Sequence, residues 1–512
     1  MIRGILTVGG WTMASRILGF VRDVLIASSL GAGLVADAFF VALRLPNLFR
    51  RLFGEGAFNA AFVPQFASML ATEGPGPARR FAIEAFSLMT VWLGTLTVLG
   101  MIGMPWIVAV IAPGFLGIPE KFGLAVELSR ITFPYLVLIC LAAMVSGILN
   151  ALEKFGVAAA SYVLFNVCMI VALLGLTPFV ATGGHALAWG VAAAGVAQLA
   201  LLMVASSRAG MGLTIGWPKL TPAVRQLLKK MAPGVVGAGG TQLNLAVDVV
   251  IASLLPAGTV SLLYYADRIQ QLPLGVIGTA IGTAMLPTLS RQVGAGDNAV
   301  AMSTQNRAIE YALILTLPAT VALIIVAWPI IWTLFGRGAF DAGSAHLTAQ
   351  ALAAYAIGLP AFVLIKVLAP GFFARGDTAT PVKIGMVMVA AHLAMNLSFM
   401  GPLGHLGPPT ATSLASIMNA ACLWFVLRRR GHLRIDQRLR SRSLRVIPAL
   451  AAMGGVLWGM QHLLFHEAMS GIVRLAVLAL LTATGLVVYG IGLQLCGAGG
   501  IREIMAGIRR RR

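Results

Sequence analysis

Fourteen stretches of mostly apolar residues follow one another along this chain, near 5–30, 34–52, 84–111, 126–149, 157–179, 186–206, 231–255, 260–289, 309–335, 346–371, 383–401, 408–427, 446–465 and 472–495. A run of about 20 such residues crosses a hydrocarbon layer roughly 30 Å thick. In lipid every backbone N–H and C=O must bond within its own segment or sheet, so runs of this length predict helices. Composition agrees: 59% of residues are hydrophobic, 11% are charged, and the mean hydropathy is +0.90, far from a soluble domain. The expected fold is therefore an all-α polytopic membrane protein of about 14 transmembrane helices.

The net charge of +20 would point to nucleic acid in a soluble protein. Its distribution points elsewhere. An even number of spans puts both termini on one side, and the connections then alternate between two sets. One set holds 28 of the 37 Lys and Arg, mostly at 208–230, 428–445 and 502–512, whereas the other holds only Lys121, Arg130, Arg337 and Arg474. Cytoplasmic loops carry the excess of Lys and Arg, which predicts cytoplasmic termini and no nucleic-acid partner, with some attraction to anionic membrane lipids. The first run is read as a retained span and not a signal peptide over residues 1–20, because Arg16 falls near the end of that stretch and no Ala-x-Ala cleavage pattern directly follows it. Four scattered cysteines, Cys140, Cys168, Cys422 and Cys496, show no disulfide or zinc spacing.

The segment 23–33 (DVLIASSLGAG) returns at 248–258 (DVVIASLLPAG) with eight of eleven positions identical, and each copy is followed by an Ala-Asp pair, Ala36-Asp37 and Ala266-Asp267. The copies lie on the first and seventh runs, so they cross in the same direction. Parallel repeats of this kind build transporters with the substrate site between the halves. The expected organisation is an N-terminal lobe (1–206), a cytoplasmic linker (207–230), a C-terminal lobe (231–427), a basic loop (428–445) and two further spans with a basic tail (446–512).

Arg16, Arg22, Asp23, Asp37, Arg44, Asp248, Asp267, Arg268 and Lys366 fall inside apolar runs. Each costs roughly 2.5–3.5 kcal/mol at a helix centre, so they must face protein or water. One account is ion pairing, Arg22 with Asp23 or Asp37 and Arg268 with Asp267. The other is an anion, because Arg16, Arg22, Arg44 and Arg268 with nearby Arg50 and Arg51 outnumber Asp23, Asp37 and Asp267, and the guanidinium fork binds phosphate in bidentate fashion. Arg16 and Arg22 lie about 9 Å apart along an ideal helix and differ by about 120° in azimuth, so convergence on one anion calls for a kink at Gly19. Asp248 admits a proton or sodium site, with Asn396 and Thr412 adding neutral oxygens of the type a hard cation prefers, or a plain buried hydrogen bond. No Gly-x-x-x-x-Gly-Lys-Ser/Thr loop, His-Glu-x-x-His or Asp-rich magnesium pair is present, so an enzyme is not expected. A cation-drug antiporter would have an acid-dominated cavity, and this one is rich in arginine.

The stretches 15–23 (SRILGFVRD), 31–40 (GAGLVADAFF), 45–51 (LPNLFRR), 54–58 (GEGAF), 264–268 (YYADR) and 373–383 (FARGDTATPVK) resemble the MurJ (MviN) family of lipid II flippases over nearly the whole chain. The resemblance implies the fold of the multidrug, oligosaccharidyl-lipid and polysaccharide exporter superfamily. That fold has two pseudo-symmetric six-helix lobes, two extra C-terminal helices and a V-shaped central cavity.

It also implies translocation of lipid II, a pyrophosphate-linked sugar-peptide on a long prenyl chain, from the cytoplasmic to the periplasmic leaflet of the bacterial inner membrane by alternating access. Another polyprenyl-pyrophosphate glycan is the alternative cargo. Arg16, Arg22, Arg50 and Arg268 match the family's functional arginines, Asp37 its functional acid, and Ser15 and Ser261 its small polar positions. A sodium site of part of the family maps to Asp248, Asn396 and Thr412, with His392 where that pattern has an amide and Pro408 at another of its positions. No cofactor is implied beyond a coupling ion, sodium or proton, or the membrane potential, and a monomer is the expectation.

Overall fold

The computed structural model describes residues 2–50 and 58–498. Among them every regular element is helical. In chain order these are α1 (Ile2–Leu30), α2 (Leu34–Phe49), α3 (Asn59–Thr72), α4 (Pro75–Ile102), α5 (Met104–Ile111), α6 (Pro119–Thr132), α7 (Tyr135–Ala151), α8 (Phe155–Leu176), α9 (Gly183–Arg208) and α10 (Pro222–Ser253). Then come α11 (Thr259–Pro273), α12 (Thr279–Gly294), α13 (Asn298–Ile325), α14 (Ala327–Phe335), α15 (Ala342–Ile357), α16 (Leu359–Phe373), α17 (Ala379–Phe399), α18 (Gly407–Arg429), α19 (Gln437–Leu464) and α20 (Gly471–Leu495).

Several apolar runs are divided where the sequence carries Pro or Gly. Gly103 separates α4 from α5, which has Pro105 in its first turn. Gly358 caps α15 ahead of Pro360 in the first turn of α16. Proline has no N–H to donate and fixes φ, so it suits a first turn and interrupts a helix interior. Pro273 closes α11, and the chain then widens into a π-helical turn, Leu274–Gly278, before α12. Such turns relieve a broken bonding ladder.

By length and composition, ten segments among the described residues can cross a membrane: Pro75–Ile102, Pro119–Ala151, Phe155–Phe179, Gly183–Arg208, Asn298–Ile325, Ala342–Phe373, Ala379–Phe399, Gly404–Arg429, Gln437–Leu464 and Gly471–Leu495. The four runs beyond this set, 5–30, 34–52, 231–255 and 260–289, all carry carboxylates. The outer faces are apolar. Only 11% of the α20 window is buried, and Ile472, Leu486 and Val487 stand exposed. In water such a face would be a liability, but in a bilayer it meets lipid.

The chain forms two compact units, Met1–Ser261 with Gly338–Phe340, and Leu262–Arg337 with Asp341–Arg512. In the first, α8 packs between α1 and α9, α2 against α6, α7 against α9, and α10 against α3, α4 and α5. A stack of Phe58, Phe62, Phe66 and Phe81, with ring centroids 5.1–5.7 Å apart, joins α3 to α4. Burying an aromatic side chain removes a large apolar area from solvent, and offset rings add a specific attraction. In the second unit, one core gathers Leu289, Ile309, Val363, Phe372 and Leu423. Another joins α19 and α20 to α13 through Ile314, Val446, Met453, Leu457 and Leu481.

The two repeat copies end close together within the first unit. Gly258 has φ +95°, and a Cβ there would stand 2.9 Å from the Ala32 carbonyl oxygen. A residue with a side chain would be strained by the backbone and crowded by that carbonyl. The Ala-Asp pairs that follow the copies are not equivalent, because Asp37 is the fourth residue of α2 while Asp267 lies mid-way along α11.

Candidate functional site

The charges of α1 divide between a buried pair and an exposed side chain. Arg22 and Asp23 are only 4% and 2% exposed. Arg22 donates from Nε and Nη2 to Asp23 Oδ1 at 3.0 and 2.7 Å, and from Nη1 to Asn166 Oδ1 on α8 at 2.9 Å. Its guanidinium carbon also lies 5.6 Å from the Phe165 ring centroid. Asn166 Nδ2 donates in turn to the Ser15 carbonyl at 3.1 Å and hydroxyl at 3.3 Å. Asn166 thus ties Ser15 to Arg22, a link the sequence hid inside an apolar run.

The helix continues through Gly19, which faces Asn166. Arg16, one residue from Ser15, is exposed. Arg22 on this helix is therefore held in a buried pair, whereas Arg16 is exposed.

Asp37 is fully buried. Its Oδ2 accepts from Lys121 Nζ and the Gly258 N–H, both at 2.7 Å, and its Oδ1 from the Ser261 N–H and hydroxyl, both at 2.8 Å. Four charge-assisted or backbone bonds saturate this carboxylate. Asp37 and Ser261 are brought together as the sequence reading grouped them, with Lys121 as their unforeseen companion. Counted above as a loop charge, Lys121 is instead 2% exposed and sits 4.1 Å from the Phe115 ring centroid. Nothing in its local sequence distinguishes it from a topology-setting lysine.

Arg50 is half-buried after the C-terminus of α2 and donates to Asn47 Oδ1 at 3.3 Å. Arg51 and Glu55 lie outside the described residues. Asp248, half-buried, belongs to the first unit.

In the second unit Arg268 lies 5.6 Å from the Tyr264 ring centroid, and Asp267 accepts from Gln271 one turn on. Asn396 and Thr412 both approach His392, whose Nε2 lies 2.9 Å from Asn396 Nδ2 and 3.1 Å from Thr412 Oγ1. Thr412 gives its hydroxyl proton to the Pro408 carbonyl, and Asn396 Oδ1 is buried with no hydrogen-bond partner among the described residues. These oxygens are the donor type a hard cation takes, while the imidazole between them is the softer, titratable element.

Sequence reasoning missed a further cluster. Glu310, 1% exposed on α13, is paired with Arg307 one turn earlier and with Arg442 at 2.8 Å and Arg438 at 3.4 Å on α19; Arg307 also pairs with Asp436. It fastens α19 to α13 within the second unit.

The fold defines the class first, a polytopic helical membrane protein built like the exporters of the MOP superfamily. An inward-facing multidrug resistance MATE family transporter of that superfamily superposes with a TM-score of 0.67 at 15% identity, over 83% of this chain and 98% of that one. A structure titled lipid II flippase MurJ, inward closed conformation, matches at a TM-score of 0.79 and 24% identity, over 96% of this chain and 99% of that one. Sequence narrows the class. The family model described as lipid II flippase MurJ matches residues 26–478, and the chain belongs to that family. A probable lipid II flippase MurJ of Rhizobium tropici is 41% identical across all of this chain and 97% of its own length. A lipid II flippase MurJ of Burkholderia cenocepacia is 38% identical over 84% of each.

Proposed function

We propose that this protein is a flippase that carries lipid II from the cytoplasmic to the periplasmic leaflet of the bacterial inner membrane. Membership of the MurJ family over residues 26–478 carries this conclusion. The residue chemistry supports it: Arg16 presents an exposed guanidinium on α1, next to Ser15, and a guanidinium is suited to a pyrophosphate. Arg22, locked by Asp23 and Asn166, fixes the helix face from which Arg16 projects. Arg50 and Arg268 are further cations for the headgroup. Asp37 and Ser261 act by holding the turn that starts at Gly258.

Transport proceeds by alternating access of a monomer, with both termini in the cytoplasm, driven by the membrane potential or by a coupling ion, sodium or proton. Asp248 in the first unit and Asn396 and Thr412 in the second are the residues proposed to respond to that ion. Replacing sodium by choline in a transport assay tests sodium coupling directly, because an unchanged rate would leave only the proton and the potential.

The deciding experiment depletes the protein from growing cells and measures how much lipid II headgroup is accessible outside the inner membrane. The expected result is loss of accessible lipid II and its accumulation inside. Unchanged lipid II export, with loss of a different polyprenyl-linked glycan, would reassign the cargo.

A further inference from the structure

The segment joining α9 to α10 is pinned by its backbone, buries Met211 and Leu213, and turns its later apolar side chains outward. Arg79 Nε donates to the Gly212 carbonyl at 2.8 Å, the Gly216 N–H donates to Ser87 Oγ at 2.9 Å, and the Thr221 hydroxyl donates to Glu84 at 2.7 Å. Gln65 Nε2 bonds the Ala223 carbonyl at 2.9 Å, just inside α10. These bonds hold the strand of chain against α4 and α3. Even so, Ile215, Trp217 and Leu220 are 68%, 90% and 62% exposed. A tethered backbone that projects three large apolar side chains leaves them needing a cover.

The charge around them says what the cover is. Residues 208–230 hold five Lys and Arg and no Asp or Glu. Lys219 is exposed between Trp217 and Leu220 in sequence. Arg225 and Lys229 lie one turn apart on α10, on the same helix face. With Leu220, Pro222 and Gln226 they line an open cleft of about 340 Å³. Because α9 is long and apolar enough to cross a membrane and ends at Arg208, this segment would begin at the edge of the hydrocarbon layer. Trp beside Lys and Arg is the composition that settles at a headgroup boundary.

We propose that residues 211–230 are a docking surface for anionic phospholipid headgroups. Ile215, Trp217 and Leu220 enter the acyl boundary, and Lys219, Arg225 and Lys229 hold lipid phosphates in and around the cleft. The inference does not depend on the cargo, because the lipid here is a bilayer component and not the transported one.

The test is hydrogen exchange of peptides spanning 211–221 in the full-length protein, placed in bilayer discs of phosphatidylcholine or of an equal mixture with phosphatidylglycerol. Exchange in the mixed discs is expected to be slower, and high salt is expected to abolish the difference. The triple variant Lys219→Ala, Arg225→Ala, Lys229→Ala should lose the effect of phosphatidylglycerol, with docking weakened by about 100-fold at roughly fivefold per cation. Trp217→Ser should weaken protection in both lipids. Peptides from α8 and α9 report whether either variant still folds. Equal exchange in the two lipids would overturn the proposal. Protection that persists in detergent and grows with protein concentration would overturn it too, assigning the surface to a second copy of the chain.

Discussion

Arg22 and Asp23 illustrate how a charge survives inside a membrane protein. Each is almost wholly buried, and together with Asn166 they satisfy one another. Removing one member of a buried pair leaves the other uncompensated, which costs about 3–5 kcal/mol in soluble proteins. Arg22→Ala is therefore expected to lower the thermal midpoint of the purified protein markedly, and the double variant Arg22→Ala, Asp23→Ala to recover much of the loss. Equal midpoints for the single and double variants would show that the pair is not what Arg22 supports. Arg16→Ala should behave in the opposite way. As an exposed side chain it should shift stability by no more than about 0.5 kcal/mol, yet it should fail to rescue growth of a depletion strain. The pair of variants separates a structural arginine from a ligand-facing one. The sequence supplied both residues and even the correct pairing as one alternative, but it could not rank them, because Asn166 lies far along the chain on α8.

Helices were legible wherever the apolar run was long and free of charge, and their breaks coincided with Pro and Gly. Less legible were the short ties at helix ends, which depend on tertiary partners. Asp377 is an example, in the turn before α17. It accepts from the Thr380 N–H at 2.9 Å and from the Thr380 hydroxyl at 2.6 Å, and it pairs with Arg430 after α18. The Thr380 hydroxyl, and after it the Arg430 guanidinium, hold this carboxyl well below the usual carboxylate range. The unfolded value is about 3.9, so the tie is fully present above that pH and is lost as pH falls through the lower folded value. Amide protection of Thr380 in the full-length protein should accordingly persist at mildly acidic pH and fall only under strong acid. Asp377→Asn should flatten that dependence.

At the scale of the whole molecule, the charge asymmetry between alternate loops predicts which side each end occupies. An enzyme reporter that is active only outside the cytoplasm, fused after Arg512, should be silent, and the same reporter fused after Gly117, at the opposite end of α4 and α5, should be active. Activity at the C-terminal fusion would reverse the topology. The repeat announced two related halves, and it could not announce that Gly338–Phe340 would join the first compact unit, because that depends on the Ala339 N–H reaching the Ser28 carbonyl.

The buried Glu310 also has a history during synthesis. Its partner Arg307 is three residues behind it, but Arg442 is 132 residues ahead. At about 5–20 residues per second, the ribosome delivers that second arginine roughly 7–26 s after the carboxylate. Until α19 arrives, the acid on α13 has Arg307 beside it but neither Arg438 nor Arg442. A chain cut short before residue 438 would leave Glu310 without its two partners on α19 permanently.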